Sequence, residues 1–316
     1  MGSYIFRRLL FLIPIMIAIS LISFSLIHLA PGDPALIILR AGGGQAQATQ
    51  ENLERLREEM GLNDPFVVQY ARWLWNVIHF DFGVSVRRGT PVAELIAKRL
   101  PATLQLTAVS VTFAAGIALV VGVLSAVKQH SIFDHVGRIF AFIGASMPGF
   151  WLGLLLILLF AVKLGWLPAL GHGETRHIVL PALTLGLGIA PTYARLLRAS
   201  MIEVLGQQYI TTARAKGVAE RRVIFHHALR NALIPFITVL GISFAHALSG
   251  AVVVETIFAW PGVGKLVVDA ILDRDFPIIQ AFVLVAAILF VLINLAVDLS
   301  YRFLDPRIRR RASPIS

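Results

Sequence analysis

Six stretches of this 316-residue chain run for 18 residues or more without one Asp, Glu, Lys or Arg. They cover residues 9–32, 100–127, 139–162, 177–194, 231–254 and 276–297. A helix rising 1.5 Å per residue needs about 20 predominantly apolar residues to cross a bilayer, so each run is long enough or nearly so. Buried core helices are the alternative, but the remaining sequence cannot cover six of them. The predicted fold class is therefore an all-α polytopic membrane protein with six spans. Charged residues make up 15% of the chain against about 25% in a soluble domain, and mean hydropathy is +0.78, which excludes a soluble globule. The absence of Cys excludes a disulfide framework and cysteine zinc sites.

Lys and Arg resist translocation, so their positions orient the spans. With the N-terminus inside, the inner segments hold 16 of the 28 cations and five of the 18 acids, a net +11 against −1 outside. Both termini are thus expected in the cytoplasm. Arg7 and Arg8 precede the first run, which resembles a signal peptide but is too long for one and is expected to remain as an anchor. Because the cations are spread over short inner loops, they mark topology and lipid contact and give no nucleic-acid groove. Trp73 and Trp75 are expected outside the hydrocarbon, with Trp166 and Trp260 following spans at the outer side.

Three segments between the runs carry information. The outer one, 31–99, has a loop at Gly42, Gly43 and Gly44, then a charged helix from Thr49 to Met60 that Pro65 is expected to stop. From Phe66 to Phe82 apolar and aromatic residues recur at helical spacing, an amphipathic segment expected to pack on the membrane part or lie at its surface, either as a lid on the span ends or as a docking surface for a partner. The inner segment 201–231 has no membrane-length run. Gly217 divides two cationic helix-forming halves, Ala213, Arg214, Ala215 and Lys216 before it and Arg221, Arg222, His226, His227 and Arg230 after it. Such a glycine-broken basic helix suits docking into a groove on a cytosolic partner. After the fifth run, Pro261, Gly262 and Gly264 give tight turns, and Leu266 to Leu272 is a helix too short to cross, expected to close the outer end of a pathway.

Chemistry is sparse. Polar candidates within the spans are His28, Gln105, Thr107, Ser146, His246, Glu255, Asn294 and Asp298; Glu255 and Asp298 lie at span ends, where they are expected to reach water. Glu255, His246 and Trp260 are the candidate pathway or gate residues. No catalytic residue and no metal ligand set is assigned: His226 and His227 are adjacent and so on different sides of a helix, and no metalloprotease, nucleophile-elbow or phosphate-loop motif occurs. Few intramembrane charges also argue against an ion-coupled carrier, so energy is expected from a partner.

The residues resemble a family. Pro31, Gly32, Asp33, Pro34 and Ala35 are followed by Asp81, Phe82, Gly83 and Ser85, then by Arg99 through Leu104. Ser146, Met147 and Pro148 lead to Phe150 through Gly153 and Gly165 through Pro168. The most specific run is Thr212 through Gly217 with His227 through Ala232; Glu255 through Phe258, Trp260 through Gly264, Arg274, Asp275 and Asp305 through Arg309 complete it. In this order they resemble the B-type permease subunit of the peptide/nickel (dipeptide/oligopeptide) importers of the ATP-binding-cassette class, over nearly the whole chain.

The resemblance implies a type I importer transmembrane domain: a first helix at 1–30, an external segment at 31–99 and a core permease domain at 100–316 with five further spans. It implies an EAA-type coupling loop at 201–231, with Ala213, Arg214, Ala215, Lys216 and Gly217 at the contact with an ATPase. Thr211, Thr212 and Ala213 stand where the general pattern has Glu-Ala-Ala, and Leu229 and Arg230 where it has Leu-Pro. The implied partners are a second homologous permease, two cytoplasmic ATPases that hold the ATP and Mg, an external solute-binding protein and the bilayer of a bacterial-type inner membrane. The chain itself would be no enzyme and carry no cofactor. Di- or oligopeptides are the implied cargo, with nickel or glutathione as family alternatives; a non-transporting scaffold or receptor is the reading from another class.

Overall fold

The computed structural model describes residues 2–29, 33, 35, 36, 39 and 49–304. Pro31, Gly32, Pro34, the glycine- and glutamine-rich stretch 42–48 and the motif 305–309 lie outside the described residues, as do the side chains of Arg7, Arg8, His28 and Asp298.

Among the described residues the architecture is helical, with one isolated antiparallel bridge between Val84 and Pro91. Twelve α-helices follow in order: α1 (Gly2–Leu29), α2 (Gln50–Glu59), α3 (Phe66–Ile78), α4 (Val92–Val127), α5 (Ile132–Ser146), α6 (Gly149–Leu156), α7 (Val179–Leu205), α8 (Gln208–Ala215), α9 (Glu220–Arg222), α10 (Leu229–Ile257), α11 (Val263–Asp273) and α12 (Phe276–Leu304). Wider π-helical turns extend α6 over Ile157–Lys163 and lead into α10 over Val223–Ala228.

The described part of each of the six uncharged runs is helical apart from Met147 and Pro148. By length and composition, four helical stretches suffice to cross a membrane: Val92–Val127, Thr175–Leu205, Glu220–Gly241 and Phe276–Ala296. The third run is not one straight helix. Pro148 has no N–H to donate and forces Met147 into extended backbone (φ −88°, ψ 124°), so α5 ends at Ser146 and α6 restarts at Gly149, bent by 108°. Counted as one span, that pair makes five; α1 and the end of α10 contribute shorter apolar stretches, Leu12–Ser25 and His246–Ile257.

The chain forms two compact units. The first takes in 1–101 and 265–291. Here Thr49 caps α2 by accepting the Asn52 N–H at 3.4 Å, as the sequence predicts. The stop differs: Gly61 at φ +64° ends α2, with its own N–H donating to Glu58 O and the Leu62 N–H to Arg57 O, whereas Pro65 opens α3. Phe66, Tyr70 and Trp73 of α3 pack around Phe24 of α1 at centroid distances of 5.4–5.6 Å, and the Tyr70 and Ser20 hydroxyls share a 2.8 Å hydrogen bond. Two motif residues far apart in sequence also meet, Ser85 Oγ donating to the buried Asp275 Oδ2 at 2.5 Å.

The second unit holds 102–264 and 292–316. Its core gathers on α7, where Ala190, Tyr193, Ala194, Leu197 and Met201 pack with Ala114 and Ala118 of α4 and Phe236 of α10. Small side chains on α4 and α7 allow close helix approach, the source of packing energy where hydrocarbon surrounds the protein. Thr107, Ser110 and Thr184 each donate their own hydroxyl to a carbonyl four residues earlier. One ion pair joins α5 to α7: Arg198 donates to both oxygens of the fully buried Asp134, at 2.7 and 2.9 Å, and the His130 N–H donates to Oδ2 at 3.1 Å.

Removing one partner of such a pair strands the other, at a cost of about 3 kcal/mol or more. Asp134→Ala is therefore expected to lower the melting temperature of the detergent-solubilised protein by several degrees, read from intrinsic tryptophan fluorescence. The exchange Asp134→Arg with Arg198→Asp is expected to recover part of the loss.

Candidate functional site

The segment 201–231, expected on the inner side, contains a short helix, a left-handed turn and a second helix start. Helix α8 has Ile210 fully buried, while Tyr209, Thr211, Thr212, Arg214, Ala215 and Lys216 are exposed and Ala213 is half-buried. It ends in a complete Schellman closure: the Gly217 N–H donates to Arg214 O at 2.9 Å and the Val218 N–H to Ala213 O at 3.2 Å. Gly217 sits at φ +74°, and no atom lies within 4 Å of the place a side chain would begin. The backbone alone thus makes glycine preferable there, since the left-handed region costs other residues about 1–2 kcal/mol.

Beyond the turn, Arg214 Nε and Nη2 donate to Glu220 at 3.1 and 2.7 Å, clamping the two arms of the loop. Donating to Glu220 holds the Arg214 guanidinium above its ordinary range, so it stays charged. Lys216 has no ionic partner among the described residues and presents its charge to solvent. The loop is anchored from below. Ile210, Val223 and Ala228 belong to the same buried cluster as Leu197 and Met201 of α7 and Ala232 and Phe236 of α10. The structure brings Ala213, Arg214, Ala215, Lys216 and Gly217 together on one exposed knob seated on the two longest helices of its unit after α4. The Glu220 clamp was not anticipated from the sequence; an acid six residues after an arginine across a glycine was the available signal.

A second constellation lies where α10 turns toward α11. Glu255 is fully buried, and Thr103 Oγ1 donates to its Oε1 at 2.6 Å. The Val263 N–H donates to that same Thr103 oxygen at 2.9 Å. Trp260 lies beside it, its indole N–H donating to Ala102 O at 2.9 Å and its backbone N–H to Glu255 O at 2.8 Å. His172 meets the Trp260 ring edge-on at 4.6 Å, and the Gly171 N–H donates to Phe258 O at 3.2 Å. Gly264 passes so close that a Cβ there would stand 2.6 Å from the Val252 Cα, and a Cβ on Gly262 would collide with the Glu255 carboxylate.

Glu255 therefore does not reach water, although it ends an uncharged run; a threonine 152 residues earlier closes over it. Trp260, with Glu255, braces the turn. His246 stands apart, exposed on α10 about two and a half turns before Glu255. The part played by Thr103 was missed because a hydroxyl in an apolar run reads as helix back-bonding until its distant partner is known.

Two family models cover most of the chain. Residues 118–310 match the binding-protein-dependent transport system inner membrane component, and residues 1–107 match the N-terminal part of the same class of membrane component. The oligopeptide transport system permease protein AppB of Bacillus subtilis is 45% identical over 98% of this chain and 99% of its own length. The dipeptide transport system permease protein DppB of Alkalihalophilus pseudofirmus is 42% identical over 98% and 100%, and the glutathione transport system permease protein GsiC of Salmonella paratyphi A is 43% identical over 98% and 99%. In fold, the chain is similar to a subunit of the MetNI methionine ABC transporter in an inward-facing form, with a TM-score of 0.58 at 22% identity over 67% of this chain and 96% of that one.

The turn network gives a measurable consequence. Thr103→Val removes the donor to a buried carboxylate and the acceptor for the Val263 N–H, a loss of about 2 kcal/mol. It is expected to lower the melting temperature, while Thr103→Ser stays close to the parent.

Proposed function

We propose, from the premise that this chain belongs to the family of binding-protein-dependent transport system inner membrane components, that it is the permease subunit of an ATP-binding-cassette importer and carries di- or oligopeptides delivered by an external binding protein. The observation that carries the peptide assignment is relatedness from end to end, at 42–45%, to permeases named for oligopeptides and dipeptides. GsiC at 43% keeps one second reading open, glutathione, itself a small peptide.

Six spans with both termini in the cytoplasm complete the topology: α1, α4, the bent pair α5 and α6, α7, α10 and α12. This follows the cation distribution, and divides the chain into a first helix at 1–30, an external segment at 31–99 and a core domain at 100–316. The inner face then carries α8 and its glycine turn, the docking knob for one of two cytoplasmic ATPases. ATP and Mg belong to those subunits, and no residue of this chain is assigned a catalytic role. A second homologous permease completes the pathway.

The geometry supports this division of labour mechanically. A push on Ala213, Arg214, Ala215, Lys216 and Gly217 enters the buried cluster through Ile210 and Val223 and so reaches α7 and α10 together. Helix α10 is 29 residues long, about 43 Å, and ends at the Glu255 network. One helix thus joins the ATPase contact to the brace at Glu255 and Trp260, which holds the outer gate; exposed His246 lies along it between them. What docked donor and nucleotide supply is a different bias on the same two-state element.

Gly217→Val and the double reversal Arg214→Glu with Lys216→Glu are expected to cut dipeptide uptake by about tenfold or more, in line with coupling energies of 1–3 kcal/mol. Membrane insertion and the binding protein's affinity for peptide should not change. Unaltered uptake and unaltered binding-protein-stimulated ATP hydrolysis in reconstituted vesicles would count against the assignment. Arg214→Glu combined with Glu220→Arg restores the clamp but not the surface charge, and so separates loop folding from docking.

A further inference from the structure

Helix α3 carries two apolar faces and the structure accounts for one. Phe66, Tyr70 and Trp73 pack on Phe24. Val67, Ala71, Trp75 and Ile78 recur at helical spacing on a face turned about a third of a circle away, and they are open: Val67 is 73%, Trp75 66% and Ile78 62% exposed.

What covers that face follows from depth. Tyr70 meets α1 at Ser20, well inside the apolar stretch Leu12–Ser25, and Tyr70 and Trp73 meet it at Phe24, next to the end of that stretch. At 1.5 Å per residue, Phe24 and Ser20 lie about 7 and 13 Å from the Leu29 end of α1, within a hydrocarbon layer about 30 Å thick. On that scale α3 crosses α1 in the outer half of the bilayer. Helix α1 also presents open apolar side chains around the same level, Ile17, Leu21 and Ile22.

Apart from exposed Asn76, the polar side chains on and beside α3 fit such a medium, where hydrogen bonds must be found within the protein. Gln69 Nε2 donates to Leu62 O and Asp64 O at 2.9 and 2.8 Å, Arg72 Nη2 to Asp64 Oδ2 at 2.7 Å, and His79 Nδ1 lies 2.8 Å from Trp75 O. Tyr70 is bonded to Ser20. The only net charge on α3 is thus neutralised by Asp64, and a side chain of the Arg type lets its stem lie in lipid while its head reaches the interface.

We propose that α3 is a lipid-facing helix seated in the outer leaflet, with Val67, Ala71, Trp75 and Ile78 against phospholipid acyl chains. This revises the expectation that Trp73 and Trp75 lie outside the hydrocarbon. The inference rests on α1 spanning the membrane and is independent of which solute is carried.

The chain has no Cys, so single labels can be placed cleanly. Nitroxides are attached to Val67→Cys, Trp75→Cys and Ile78→Cys, and to Arg55→Cys on exposed α2 as the aqueous reference, in the full chain within its assembled transporter in phospholipid nanodiscs. The expected result is a reversed preference: the three α3 sites collide with oxygen more than with a water-soluble nickel chelate, and Arg55→Cys does the opposite. Ala71→Cys, the smallest change, serves should a larger substitution fail to fold. Nickel access at Trp75→Cys and Ile78→Cys equal to the reference would overturn the proposal, since the face would then be wet. Low access to both probes would also overturn it, because a protein partner would be the cover. Peptide uptake by the unlabelled parent is measured alongside; its loss bears on the transport assignment and leaves the label result standing.

Discussion

Hydrocarbon offers no hydrogen bonds, and the rest of this architecture answers to that fact. Backbone groups are satisfied by long helices, and hydroxyls on α4 and α7 fold back onto their own helix carbonyls. Charged side chains beyond the ends of the uncharged runs are met by other side chains over short distances, as Arg198 meets Asp134 and Thr103 meets Glu255. Such pairs contribute less through net stabilisation than through the penalty of breaking them, which fixes the register of one helix against another. Gln69, Tyr70 and Arg72 of α3 are likewise bonded within the protein.

The second unit gathers its polar work at the two ends of α10. Near the start of that helix, buried residues of the inner loop are continuous with the core; at its finish, a carboxylate, a threonine and an indole lock a turn between close-packed glycines. Ala259 within that turn takes φ +51°, a torsion unfavourable for a non-glycine residue and held by the bonds around it. Both ends of the helix are thus held by buried contacts.

Sequence made the spans legible because the lack of charge is a local property and needs no knowledge of the fold. It also marked the inner loop, where glycine and cations sit within one short stretch. Proline was less informative. Pro101, Pro191 and Pro235 lie inside α4, α7 and α10 without dividing them, whereas Pro148 divides its run, preceded by extended Met147 and followed by glycine. Pro65 reads as a stop for α2, yet Gly61 acts first through a left-handed torsion that a residue letter only hints at. Glu255 reads as a hydrated span end because the residues that bury it are distant in the chain. Long-range partnership is what a single sequence conceals, and in the candidate gate it decides the chemistry.

The glycine that closes α8 stands in open space, and only its torsion objects to a side chain. Position 217 is therefore a filter on handedness rather than on bulk. Asparagine, whose short amide tolerates left-handed geometry, would pass it more easily than valine of comparable volume, whose branched carbon resists that torsion. Within this chain alone, a substitution at that position should accordingly be judged by backbone preference before size.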